Sequence, residues 1–259
     1  MISMLALVAM VFGASEAFAS RARVNVMGQG EAGFILNSTG SLYYDDMYNI
    51  FYNPAYVNDF KNWVIIEKGA VNNVNGAANA GHGEGGFVTS FMGVNAGVFL
   101  NRSDAFNFNN GANGGTVANG AVVRPIDVVI GGDHGVKWGL GLTYARSSGA
   151  TTLAPVAPAV TGPAGTQSHM TARAGLMVAD FAPFISYRFM GNSKVDDNNK
   201  SQAKDMSAGL KYSYGEWTPY GVYRMFKNDT TVGGTKTRNF DSTAWIAGAG
   251  RNTKLGENA

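Results

Sequence analysis

The chain has 259 residues with 35 glycines, 12% aromatic residues, no cysteine and a formal net charge of +2. Charged residues make up only 15% of it, against about 25% in an ordinary soluble domain, and the mean hydropathy of -0.07 excludes a disordered polyelectrolyte and a helical membrane protein. So small a net charge gives no ground for nucleic-acid binding, and the lack of cysteine excludes a disulfide scaffold and thiolate metal sites.

Residues 2–14 form the one long apolar run, too short for a spanning helix, which takes about 20 residues. Ala17-Phe18-Ala19 follows as a small-x-small cleavage pattern, so residues 1–19 read as a secretory signal peptide. Gly28-Gln-Gly30-Glu-Ala-Gly33 has the spacing of a dinucleotide-binding turn. No helical periodicity follows it, and the glycines read as turn residues. Asn53 before Pro54 sets a cap and a first helical position, which predicts a short helix of about two turns before Trp63. Residues 20–61 are therefore expected to form a plug or periplasmic segment.

From Trp63 onward strands are predicted at 62–68, 86–92, 94–102, 125–131, 136–146, 169–178, 182–190, 205–214, 217–227 and 242–252. Their connections alternate in length. Short ones fall at Gly93, Gly132 to Gly135, Asp180 and Gly215-Glu216; long ones at 69–85, 103–124, 147–168, 191–204 and 228–241. Up-and-down barrels of the outer membrane have this rhythm, with short turns at one end and long loops at the other. A Greek-key sandwich has no reason to put every second loop on one side.

Val136 to Tyr144 carries the pattern most clearly. Its even positions (Val136, Trp138, Leu140, Leu142, Tyr144) are apolar and its odd positions (Lys137, Gly139, Gly141, Thr143) are small or polar. Strand side chains alternate faces, so one face is apolar and the other polar. Trp138, Phe181 and Trp217 fall at one predicted end with Tyr212 and Tyr214, and Tyr144, Tyr187 and Phe189 at the other. Leu140, Leu142, Ile185 and Leu210 lie between, as in a lipid-facing band with two aromatic belts. Pro183 and Pro219 sit where ladder hydrogen bonds are wanted and read as bends or as misplaced strand boundaries. The same alternation turns Lys137, Arg173, Arg188, Lys211 and Arg224 inward with Asp127 and Asp205, which predicts a pore lining of mild anion preference. Asn95, Asn101, Thr143, Thr171, Ser186, Ser207 and Ser213 share that face. Inward apolar positions are Phe99, Met177, Phe184 and Met190.

A search for chemistry returns little. His82, His134 and His169 lack partners at ligand spacing and read as solvated loop residues. Asp45-Asp46 and Asp196-Asp197 are not followed by a calcium-loop pattern. No nucleophile motif is present, so no catalytic residue, metal or cofactor is expected.

The segment Asp45 to Asn58, with its core Asn49-Ile50-Phe51-Tyr52-Asn53-Pro54-Ala55, is similar to one near the mature N-terminus of the porin-like major outer-membrane proteins of Bdellovibrio and related predatory bacteria. Its Asn53-Pro54-Ala55 core also resembles the N-terminal motif of FadL-type transporters of hydrophobic compounds. The specific likeness covers roughly residues 20–70. The expected fold is thus all-β: an antiparallel up-and-down transmembrane β-barrel at 62–259, with about ten strands visible and about 12–14 in a complete protein. The expected function is an outer-membrane porin of a Gram-negative bacterium for small hydrophilic solutes. Its partners would be outer-membrane lipid and lipopolysaccharide, with no nucleic acid, and a homo-oligomer fits the class. The alternatives are a FadL-like carrier and a non-conducting surface anchor.

Overall fold

The computed structural model describes residues 40–42, 45–68, 83–102, 125–152 and 161–251. The signal peptide, the glycine motif at 28–33, His82 and most of the residues in the loops at 69–85 and 103–124 lie outside that set.

Ten strands follow one another: β1 (Trp63–Lys68), β2 (Gly83–Phe91), β3 (Val94–Leu100), β4 (Ile126–Asp133), β5 (Lys137–Thr152), β6 (Thr161–Met177), β7 (Phe181–Asp196), β8 (Asn199–Tyr212), β9 (Trp217–Val232) and β10 (Thr235–Arg251). Each pairs antiparallel with the next, in one up-and-down sheet. β1 and β10 stand at opposite edges and do not pair, so the sheet is open where a closed ring was expected. Their lengths do not match, six residues against 17.

Strands β5 to β10 are longer than predicted, chiefly at the end where long loops were expected. β7 runs to Asp196 and β8 starts at Asn199, so the expected loop 191–204 is a tight hairpin; its turn is capped by Asp196, which accepts from the N–H groups of Asn198 and Asn199 at 2.8 Å. Likewise 228–241 is strand closed by Gly233-Gly234, both at positive φ, the conformation a two-residue primed turn demands. These Thr-, Lys- and Asn-rich extensions carry no apolar face, which is why alternation does not reveal them.

One face of the sheet is buried and the other exposed, although no second sheet lies among the described residues. The burial follows from curvature. Two short 3-10 helices, η1 (Met47–Phe51) and η2 (Pro54–Asn58), and the two residues between them touch eight strands. Tyr48 reaches Glu67 on β1 and Glu84 on β2, Phe51 meets Phe99 on β3, Val57 faces Gly131 on β4 and Pro54 faces Gly139 on β5. Asn53 reaches Leu176 on β6, Tyr52 packs on Phe184 of β7 and Tyr56 accepts from Lys211 of β8. Eight flat strands would span roughly 34 Å, and each five-residue 3-10 turn is only about 10 Å long. The sheet therefore wraps the segment.

Candidate functional site

Among the described residues, buried polar and charged groups converge in the interior of this wrapped sheet. Its inward residues form cross-strand rows, and one row near the short turns reads Asn95, Gly131, Gly139, Gly175, Phe184 and Gly209 from β3 to β8. The three central glycines make a side-chain-free track, and the Asn53-Pro54-Ala55 core lies along it. A Cβ on Gly139 would stand 2.2 Å from the Pro54 carbonyl carbon, and one on Gly175 would stand 1.8 Å from Asn53 Oδ1. Backbone reaches backbone here because nothing else is in the way.

Asn53 does two things. Its Oδ1 accepts from Ala55 N–H at 3.1 Å, capping η2 as predicted. Its Nδ2 donates to the Leu176 carbonyl at 3.4 Å. The second contact has a cause in the sheet. Val178 and Phe181 exchange both backbone hydrogen bonds, so the next such pair along β6–β7 is Leu176 with Pro183. Proline has no N–H, the ladder breaks there, and Asn53 supplies a donor to the carbonyl left over. Asn58 is tied as fully: it donates to the Ala55 and Trp138 carbonyls at 2.9 and 3.0 Å and accepts from Asn95 at 2.7 Å.

Charge pairs complete the seat. Lys211 donates to Asp45 at 2.6 Å and to Tyr56 Oη at 3.2 Å, while Tyr56 donates to Asp45 at 2.7 Å. Partial burial pushes the Asp45 carboxyl up, but the charge and hydrogen bond of Lys211, with the Tyr56 hydroxyl, outweigh it and hold it below its ordinary 3.8. Burial drives the Tyr52 and Tyr56 hydroxyls upward, so both stay neutral. Lys137 pairs with Asp59 at the short-turn end of the sheet.

Deeper rows hold two arginine–aspartate clusters. Asp127 accepts from Arg102 Nε and Nη2, both at 3.0 Å, and from the Thr143 hydroxyl, with Arg173 Nη1 at 3.6 Å. Asp205 accepts from Arg224 Nε and Nη2 at 2.8 and 2.6 Å, with Arg188 Nη1 at 3.8 Å. Arg188 Nε also donates to Thr171 at 3.2 Å. Every residue of both clusters is buried, and Arg102 stacks its guanidinium 4.3 Å above the Phe51 ring.

All seven charged positions assigned inward by alternation thus lie on the inner face, with Asn53, Pro54 and Ala55 packed against it. Arg102, Glu67, Glu84, Asp45, Asp46 and Asp59 were missed, because each lies at a strand end or in the irregular segment where no alternation exists. Among the described residues, adding them gives six inward bases (Arg102, Lys137, Arg173, Arg188, Lys211, Arg224) and seven acids (Asp45, Asp46, Asp59, Glu67, Glu84, Asp127, Asp205). The expected excess of positive charge is not found among them.

Other assignments change. His169 is buried in the middle of β6, not in a solvated loop, because that strand begins at Thr161. Ser213 lies beyond the end of β8, exposed, with its N–H donating to Asp180. A register shift between Arg188 and Asn192 re-aims Met190, which lines an outer cleft. Phe99 and Phe184 do face inward, and Phe51 and Tyr52 cover them. Among the described residues no cluster of three or more metal-ligating side chains occurs, and no helix is long and apolar enough to cross a membrane. Set against known families, curated proteins and solved structures, the chain matches none.

Proposed function

We propose that the chain forms the wall of an outer-membrane β-barrel that passes small hydrophilic solutes, with residues 45–59 as a plug seated on the glycine track. One observation carries the membrane part: the outward face turns from apolar to polar at a fixed height, with no change of parity on β5, β6, β8 and β9. Five outward rows, from Phe181 up to Phe189 on β7, are dominated by exposed apolar side chains such as Leu140, Leu142, Leu176, Ile185, Leu210 and Met225. The next row up reads Arg146, Ser168, Asn192, Gln202 and Asp229. Eight residue steps along a strand tilted by about 40° rise roughly 20 Å, close to the apolar band of about 25 Å that such barrels present. Exposed aromatics border the band, Phe181, Tyr214 and Trp217 below and Tyr144, Tyr187 and Phe189 above.

Lipid leaves no backbone group unpaired, so this reading requires partners for the free edges of β1 and β10, and strands beyond the ten would supply them. The near-balanced charge of the described interior residues favours a pore with little ion preference over an anion channel. The inward phenylalanines serve the plug, which removes the main support for a FadL-like carrier.

Refolded protein added to phosphatidylcholine vesicles tests the membrane claim. We expect it to float with the lipid and to give a small ohmic conductance in planar bilayers, with a reversal potential near zero in a salt gradient. Protein that stays monodisperse in water without detergent sinks the membrane reading. Insertion with no conductance, even after the plug seat is broken, leaves the surface-anchor reading.

A further inference from the structure

We propose that the cleft on the outer surface between β7, β8 and β9 binds the phosphate of an anionic lipid headgroup, held between Lys204 and Lys227. The proposal rests on the membrane reading above.

The two lysines are exposed and stand directly opposite each other across β8 and β9. Like charges so placed repel and destabilise a sheet. Neither ammonium has an ion-pair partner among the described residues. This pair stands level with Phe189, where the outward face stops being apolar. The register shift in β7 opens a cavity of about 460 Å³ there, bordered by Phe189 and Met190 on one side and by Gln202, Lys204 and Lys227 on the other. Apolar surface beside a cationic pair matches a lipid at its glycerol, with acyl chains along the band and the phosphate at the lysines.

The acids nearby offset the lysines only in part. Asp229 lines the cleft and feels the charge of both lysines, but its ion pair, at 2.8 Å, is with Lys236. Asp241, across from Lys227 on β10, is not part of the lining. A second opposed pair, Lys194 and Lys200, stands higher. There Lys194 bonds Asp197 at 2.6 Å and no large apolar side chain lines the neighbouring cavity. Free phosphate would need only the charges, whereas a lipid phosphate also uses Phe189 and Met190, so the occupant is a lipid.

Protein inserted in phosphatidylcholine vesicles is titrated with brominated-chain phosphatidic acid or brominated-chain phosphatidylcholine, and tryptophan quenching is followed. Phosphatidic acid is expected to be preferred roughly tenfold. Lys204→Gln with Lys227→Gln should abolish the preference, the two Arg variants should keep it, and Lys194→Gln with Lys200→Gln should leave it intact. Millimolar inorganic phosphate should not compete. Equal quenching by the two lipids, a preference that survives the double Gln variant, or full competition by inorganic phosphate overturns the site while leaving the barrel standing. Failure to insert overturns both.

Discussion

Asn53 shows how one side chain joins a local rule to a distant one. The sequence marks it as a cap, and the cap exists. Its amide nitrogen answers to Pro183, a residue 130 positions away in sequence whose missing N–H leaves a carbonyl free. The two roles can be separated. Asn53→Asp keeps the acceptor and loses the donor, so it should cost about 1 kcal/mol in denaturant unfolding, and the loss should shrink in a Pro183→Ala background, where the ladder supplies its own N–H. Equal costs in the two backgrounds count against the assignment. Asp45 sets a second residue-scale expectation. Its carboxyl is held low in the folded state, so the stability it contributes is present above the unfolded value near 3.8 and lost as pH falls through the lower folded value. Proteolysis of the segment should therefore rise on acidification below about pH 4, and Asp45→Asn should make release at neutral pH resemble release in acid.

At the scale of elements, the glycine track explains why an irregular segment lies against a regular sheet. Gly139→Ala and Gly175→Ala each place a methyl inside atoms of the segment; overpacking of this kind costs about 1–3 kcal/mol. Protease cleavage within 45–59 should speed up in both variants while far-ultraviolet circular dichroism stays that of a sheet. Unchanged cleavage would mean the segment does not depend on the track. A related device repeats across strand pairs, where Phe99 lies over Gly86, Phe184 over Gly209 and Tyr220 over Gly248, each aromatic opposite its glycine in register. Glycine alone admits the ring, and the ring restores the packing glycine lacks.

For the whole molecule, the exposed band and the buried charges make opposite demands. In the proposed membrane setting, Leu140→Arg or Ile185→Arg at mid-band should cost roughly 2–4 kcal/mol of insertion stability, and the same change at Lys204 or Gln202 close to nothing. Vesicle-reconstituted unfolding in urea measures this; equal costs at both heights would falsify the band. Asp205→Asn leaves Arg188 and Arg224 buried beside an uncharged group, and breaking such a pair costs about 3–5 kcal/mol. Heat-modified mobility and denaturant midpoint should both fall.

The sequence by itself determined what period-two alternation can carry: strand number and order, the inward parity of Arg173, Arg188, Asp205, Lys211 and Arg224, and the outward parity of Leu140, Leu142, Ile185 and Leu210. Each follows from side chains alternating about an extended backbone, with one face apolar. The polar strand ends past Asn192 and Asn228 look like loops in the sequence, because with both faces polar there is no contrast to see. Tertiary structure alone decided the charge balance and the seat. Asp45, Asp59, Glu67 and Glu84 meet their partners only because the sheet curls around residues 45–59. Curvature is a property of strands acting together, and no local stretch of sequence encodes which carbonyl Pro183 leaves for Asn53.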